Sequence, residues 1–435
     1  MFICKNYRLL SQVANSLKFQ SSHYSIRTNG NGGNVSSSMG GGNQMWKNHR
    51  SINADLKPFG GQIQYMSDLH LDHKQWDPNG EPPVLNPVAP YLVIAGDLGN
   101  IDTPIFRRFI RNVNTDFDQV ILVPGNHEFY GFEYHRAMKI MKSMELDYPR
   151  LHVLLGSYTY QDSYLPSRDR RGDSGSSGGS GVVFDRSGGS NSLVEKYDSY
   201  VENTVLLPLK DGYSVRVAGA PLWSEIPDDV EIHEMCNQKV KDYQKIQYWN
   251  HNLMEYSRPL SIDDTNYFHH CDVDWLLQVF WNKLVTEFDS NHTMVANGGM
   301  GANGGMVANG GMGGINNDKC KSLVVTHHSP LVEECCHPKF LFRYDPQSPD
   351  QPILDRTRWC NWAFSTRLNW LIHEMQPTAW IFGHTHYRTV FEYKWTCEMS
   401  GMDQSTVIAS NPVTNDGTGV RRSYETIDPM FIKVL

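Results

Sequence analysis

The stretch QVILVPGNHEFY, residues 119–130, ends a hydrophobic run in an unusual way. Val120 to Val123 suit a buried strand, and Pro124 and Gly125 then let the chain turn sharply. An amide, an imidazole and a carboxylate follow in succession: Asn126, His127 and Glu128. The rest of the sequence repeats the pattern. QIQYM (62–66) runs into SDLHLDH, YLVIA (91–95) into GDLGN, SLVVT (322–326) into HHSPL, and AWIF (379–382) into GHTHYR. Five predicted strands thus end in Asp, Asn or His, and in α/β sheets the carboxyl ends of strands are where sites are assembled.

Further strands are predicted at HVLL (152–155), NTVLLPL (203–209), SVRVAG (214–219) and RTVFEYKW (388–395), and helices over 102–113, 132–146, 231–256, 272–288 and 361–375. Strand and helix take turns, as in an α/β protein whose sheets are covered by helices.

The strand-end residues are a coherent donor set. Asp68 and His70 stand two apart, so in an extended chain they project from one face. Asp97 stands alone, and a single carboxylate can bridge two cations with its two oxygens. Asn126 offers a neutral amide oxygen. His384 and His386 again share a face, each able to serve one of two neighbouring ions, and His327 or His328 supplies a further imidazole. Such a mixture of carboxylates, one amide and four imidazoles suits a pair of borderline divalent or trivalent ions, with zinc, iron and manganese as the candidates. It contains no thiolate and is not an all-oxygen calcium cage. Taken singly, a DxH is usually a turn, a GD is common in α/β proteins, and an HxH is often surface strand; the five together, in this order, carry the inference.

In this order the motifs resemble those of the calcineurin-like metallophosphoesterases: Asp68-Leu-His70, Gly96-Asp97, Gly125-Asn126-His127-Glu128, His327-His328 and Gly383-His384-Thr-His386, with a weaker echo at SNP (410–412). The resemblance covers roughly 62–131 and 321–392. It implies a double β-sandwich flanked by helices, a four-layer α/β fold, with a dinuclear metal centre along one edge. It also implies that Asp68, His70, Asp97 and His386 hold one ion, and Asp97, Asn126, His384 and one of the paired histidines the other. The family's ligand often stands two residues before a proline, which selects His328 ahead of His327 because Pro330 follows at that offset.

Two cations about 3.5–4 Å apart furnish hydroxide at neutral pH and polarise the phosphoryl oxygens it attacks, so the expected activity is hydrolysis of a phosphate mono- or diester. His127, next to a ligand but on the other side of an extended chain, is then placed to face the substrate as general acid. Glu128 reads as structural, turning back to tie down its loop. Where the phosphoprotein phosphatase branch has an acid three residues after the bridging Asp, this chain has Asn100, so another group must orient His127. His73, His135, His233, His269, His270 and His373 lie outside the pattern and read as surface or core histidines. The competing readings are a nuclease on the same centre and a non-catalytic protein-binding scaffold; the latter predicts missing ligands, and none is missing.

Composition narrows the choice. Residues 1–54 hold six basic residues, nine serines and no acid, leaving 33 basic against 47 acidic residues and a formal charge of −14 for the remainder. That acidic body argues against generic attachment to nucleic acid. The N-terminal segment reads as a mitochondrial transit peptide or a disordered basic tail, with a cytoplasmic location as the alternative. Residues 55–435 read as one domain, with flexible Gly/Ser/Asn inserts near 161–200 and 291–317 and a helical cap-like insertion near 226–288. No apolar run reaches the length of a membrane span. Eight scattered cysteines without a CxxC point to a reducing compartment, and adjacent Cys335 and Cys336 are poor chelators.

Overall fold

The computed structural model describes residues 56–158, 203–249, 257–292, 319–337, 343–345, 348–353, 360–397, 401–413 and 433–435. The N-terminal basic segment and the inserts near 161–200 and 291–317 lie outside these residues, except Asn291 and His292, which close a helix.

In chain order the strands are β1 (Ile63–Met66), β2 (Tyr91–Ala95), β3 (Gln119–Val123), β4 (Leu151–Val153), β5 (Thr204–Pro208), β6 (Ser214–Ala220), β7 (Gln247–Tyr248), β8 (Arg258–Pro259), β9 (Cys320–Thr326), β10 (Arg343–Asp345), β11 (Ser348–Ile353), β12 (Ala379–Phe382), β13 (Thr389–Thr396), β14 (Asp403–Ser410) and β15 (Lys433–Val434). The α-helices are α1 (Pro104–Asp116), α2 (Tyr134–Asp147), α3 (Val230–Lys239), α4 (Asp242–Lys245), α5 (Ile262–His292), α6 (Cys360–Phe364) and α7 (Asn369–Met375). One sheet has the order β15-β1-β2-β3-β4, with β1 to β4 parallel and β15 antiparallel at the edge. The other runs β13-β14-β12-β9-β6-β5, with a parallel centre and antiparallel edges.

The central strands read as unbroken apolar runs because both of their faces are covered. Val93, Ala95, Ile121 and Val123 of the first sheet share one core with Val217, Leu323, Val325 and Ile381 of the second. The alternate residues Leu92, Ile94, Val120 and Leu122 lie under α1 and α2, which bring Phe106, Phe109, Met138 and Met141. On the outer face of the second sheet, Val324, Trp380 and Phe382 pack against Leu276 of α5 and Leu371 and Ile372 of α7. The result is a multilayer α/β sandwich of two mixed sheets flanked by helices. Helix α1 starts where Thr103 accepts from Phe106 N and Pro104 takes the first position. Strands β10 and β11 form an antiparallel hairpin in a second compact unit.

Three helix expectations need correction, the first two because tertiary backbone pairing overrides the local pattern. The span 231–256 breaks into α3 and α4 and then turns into β7, since Gln247 N donates to Phe132 O and Ile246 O accepts from Leu260 N, both at 2.9 Å. The span 361–375 splits into α6 and α7, because Thr366 N and Leu368 N donate to Ser329 O (3.1 Å) and Pro330 O (2.9 Å) of the loop after β9. Helix α5 begins ten residues before the expected 272, with Asp264 in its first turn accepting from Ser261 N at 2.8 Å. No helix among the described residues is long and apolar enough to cross a membrane.

Candidate metal centre

All five motifs lie at carboxyl ends of parallel strands: β1, β2 and β3 in one sheet, β9 and β12 in the other. The loops are bonded to one another rather than merely adjacent. Asp68 N donates to Gly96 O (3.0 Å), His70 N to Asp97 O (2.9 Å), Gly383 N to His327 O (2.9 Å), and His384 N to Asp68 Oδ1 (3.0 Å). The approach is close enough to demand glycine. A Cβ on Gly96 would lie 2.3 Å from His327 Nδ1, and one on Gly125 2.3 Å from Asp97 Oδ1.

Asp68, His70 and His386 present donor atoms within 4.8 Å of one another, and so do Asp97, His327 and His384. In the first group His70 Nε2 is 3.0 Å from His386 Nε2, which is 3.4 Å from Asp68 Oδ1. In the second, His327 Nε2 is 3.1 Å from His384 Nδ1, 3.1 Å from Asn126 Oδ1 and 3.3 Å from Asp97 Oδ1. Asp97 joins the groups, because its other oxygen lies 3.8 Å from His70 Nε2. His384 and His386 therefore fall one in each group.

Of the paired histidines it is His327 that stands among these donors, reversing the order of preference that the proline offset suggests. The ring of His328 lies behind, stacked 4.0 Å from that of His384, with Nδ1 2.8 Å from Ser224 Oγ and accepting from Ser224 N at 3.2 Å. Sequence offset cannot show which ring of an adjacent pair turns inward; here the backbone bond from His328 N to Pro221 O holds the second one toward β6.

The extended-chain argument for DxH and HxH also needs correction. Asp68, His70, Asp97, His384 and His386 all adopt left-handed backbone, with φ between 50° and 65°. For residues other than glycine this costs on the order of 1–2 kcal/mol each, and such strain collects at functional sites. His127 likewise begins a 3-10 turn, His127–Phe129, instead of continuing an extended strand.

Glu128 is the reason that turn holds. Fully buried, it accepts from Gly125 N (2.7 Å), Leu98 N (2.7 Å), Asp97 N (3.1 Å) and Gly99 N (3.1 Å), tying two strand-end loops together. Glu128→Gln sets an amide group against some of these donors, and each buried N–H left unpaired costs roughly 1–3 kcal/mol. The expected loss is about 3 kcal/mol, read as a lower urea midpoint with an unchanged m-value.

Several groups escaped the sequence reading. Asp72 lies 2.8 Å through Oδ2 from His127 Nδ1 and fills the orienting position that Asn100 leaves open. It was in plain view within SDLHLDH. Asp242 of α4 and the Tyr130 hydroxyl each accept from Asn126 Nδ2 at 2.8 Å, which aims the amide oxygen at His327. Nothing in the sequence flags a carboxylate 116 residues away.

The protein's own groups set the charges. Burial alone would raise Asp97, but the imidazoles of His327, His127 and His70 hold it well below the ordinary carboxylate range. His327 is pushed up to about 9, burial being outweighed chiefly by Asp97. His70 is pulled down to about 3 by burial. His327 Nδ1 lies 2.9 Å from Ala95 O; donating there commits that nitrogen, so Nε2 is the one whose lone pair a cation could take in exchange for its proton. Facing ring nitrogens at 3.0–3.1 Å beside carboxylate and amide oxygens, with no thiolate, fit borderline cations.

No protein-family model matches the chain. An uncharacterised protein of Acanthamoeba polyphaga mimivirus is 22% identical to it over 349 residues, 76% of this chain and 86% of that protein. Among solved structures, phosphopantetheinyl hydrolase from Mycobacterium tuberculosis aligns over 86% of this chain and 95% of its own, at 13% identity and a TM-score of 0.42.

Proposed function

We propose that this chain hydrolyses phosphate mono- or diesters at a dinuclear metal centre, as a calcineurin-like metallophosphoesterase with that family's four-layer double sandwich. The observation that carries the reading is Asp97 standing between two donor groups, one oxygen 3.3 Å from His327 Nε2 and the other 3.8 Å from His70 Nε2. In this reading Asp68, His70, Asp97 and His386 hold one ion, and Asp97, Asn126, His327 and His384 the other. Zinc, iron or manganese held there would supply hydroxide at neutral pH and would offset charge on the phosphoryl oxygens.

The chain itself does the rest. His127 sits at the mouth with its backbone N–H fixed on Asp97 Oδ1 at 2.9 Å and Nδ1 held by Asp72, which leaves Nε2 to protonate the departing alkoxide. Asp72 is thus a positioning residue. Asp72→Asn is expected to slow hydrolysis of alkyl phosphates about 10–100-fold, the range for losing an orienting partner. Esters of nitrophenol, whose leaving group needs no proton, change little, and a merely structural role for Asp72 would not produce that split.

The reading is tested on purified, metal-analysed protein run against a panel of mono- and diesters. It expects two metal equivalents and turnover of a small ester. Absence of stoichiometric metal in an active-site-intact protein favours the scaffold reading; cleavage of polynucleotide alone favours the nuclease.

A further inference from the structure

A third group of donors lies beside the proposed centre, and three of its four members are used by neither ion. Asp72, His73 and His127, together with His70, present ligand atoms within 4.8 Å of one another. The rings of His70 and His73 stack in parallel, 4.4 Å apart with planes 3° from coincidence, and the rings of His73 and His127 are 5.6 Å apart. His70 is already engaged through Nε2 with the deeper group. Asp72, His73 and His127 remain: one carboxylate and two imidazoles, with His73 exposed to solvent. Asp72 uses Oδ2 on His127, while its Oδ1 is buried and has no hydrogen-bond partner among the described residues. A buried carboxylate oxygen left unpaired beside two imidazoles calls for a cation.

We propose that Asp72, His73 and His127 form a third cation site at the mouth of the centre, and that a zinc-class ion bound there shuts off hydrolysis by capturing His127. The inhibitory role rests on the reading of His127 as proton donor; the site itself does not. Three nitrogen and oxygen ligands with an open position toward water are a common zinc arrangement, whereas magnesium prefers oxygen alone and keeps its waters. With one ligand exposed and three protein ligands in all, this site fills after the two buried ones. The ion takes the Nδ1 lone pair of His127, and the proton that sat there passes to water. What is left on Nε2 can depart only by making an imidazolate, so the ring no longer serves as an acid. His73, which the sequence reading set aside as an ordinary surface or core histidine, is the residue that distinguishes this site from its neighbours.

The experiment is a calorimetric titration of zinc into the metal-free full chain, in wild type, His73→Ala and His73→Gln, with ester hydrolysis followed over the same zinc range. Two tight equivalents are expected in all three proteins. Wild type shows a third, weaker step, its affinity falls at least tenfold in both variants, and the half-inhibitory zinc concentration rises by the same factor. Excess magnesium does not inhibit. His73→Gln keeps a polar side chain beside the His70 ring and so guards against simple loss of packing. A third step of equal affinity in both variants overturns the proposal, as does wild type that stops at two equivalents. One tight equivalent or none in wild type is a different result, and it overturns the dinuclear reading on which the inhibition depends.

Discussion

Asp97→Asn is expected to leave the fold intact, cut bound metal from two equivalents to one or fewer, and lower kcat/KM on the order of 10³-fold or more, well beyond the roughly 10–100-fold that loss of an outer partner costs. The carboxylate reaches both donor groups, with Oδ1 toward His327 and Oδ2 toward His70. An amide keeps the shape and can still accept from His127 N, but it offers one weak oxygen where two charged ones stood. Because Asp97 is held strongly ionised by the imidazoles around it, the lost charge also leaves His327 and His127 without their main counter-ion. Metal analysis after dialysis, beside a thermal melt, separates this from unfolding. Two retained equivalents with near-normal turnover would end the dinuclear reading.

His127→Ala is expected to cost 10²- to 10⁴-fold in kcat on alkyl phosphates, the usual worth of a positioned general acid, and far less on nitrophenyl esters. Both metal equivalents stay. The protein's own groups push His127 up to about 9: burial opposes the charge, but Asp97 and then Asp72 outweigh it. His127 is therefore protonated below that value and neutral above it. Wild-type rates on poor leaving groups fall as pH rises through a pKa at or below about 9, since any cation nearby lowers it, and the variant lacks that limb. Adding Asp72→Asn to His127→Ala costs nothing further, because the two side chains act as one unit at 2.8 Å.

The strand-end pattern was legible because it is written locally. Each motif follows its own apolar run, and β2, β3 and β12 have the expected limits, YLVIA, QVILV and AWIF. Strand β14, DQSTVIAS, was missed, since its polar half earns a place in the sheet only by pairing with β13 along its whole length. Strand β15 is two residues long and is defined solely by its partner Gln64-Tyr65. At the site the same division holds. Which residue types gather is readable from the sequence; whether His327 or His328 turns inward depends on Ser224 and Pro221, about a hundred residues earlier. Asp242, aiming Asn126 from a helix, is long-range for the same reason. The left-handed backbone at Asp68, His70, Asp97, His384 and His386 has no sequence signal, because none of the five is glycine.

The two walls of the pocket are separated along the chain, His384 and His386 each coming 316 residues after Asp68 and His70. On a ribosome adding roughly 5–20 residues per second, the first-made wall waits on the order of 15–60 s for the second. Throughout that interval a nascent chain holds Asp68, His70, Asp97 and Asn126 without the histidines of the second sheet. On the proposed reading, binding of both cations would be a late event in biogenesis, after the histidines near the C-terminal side have left the exit tunnel.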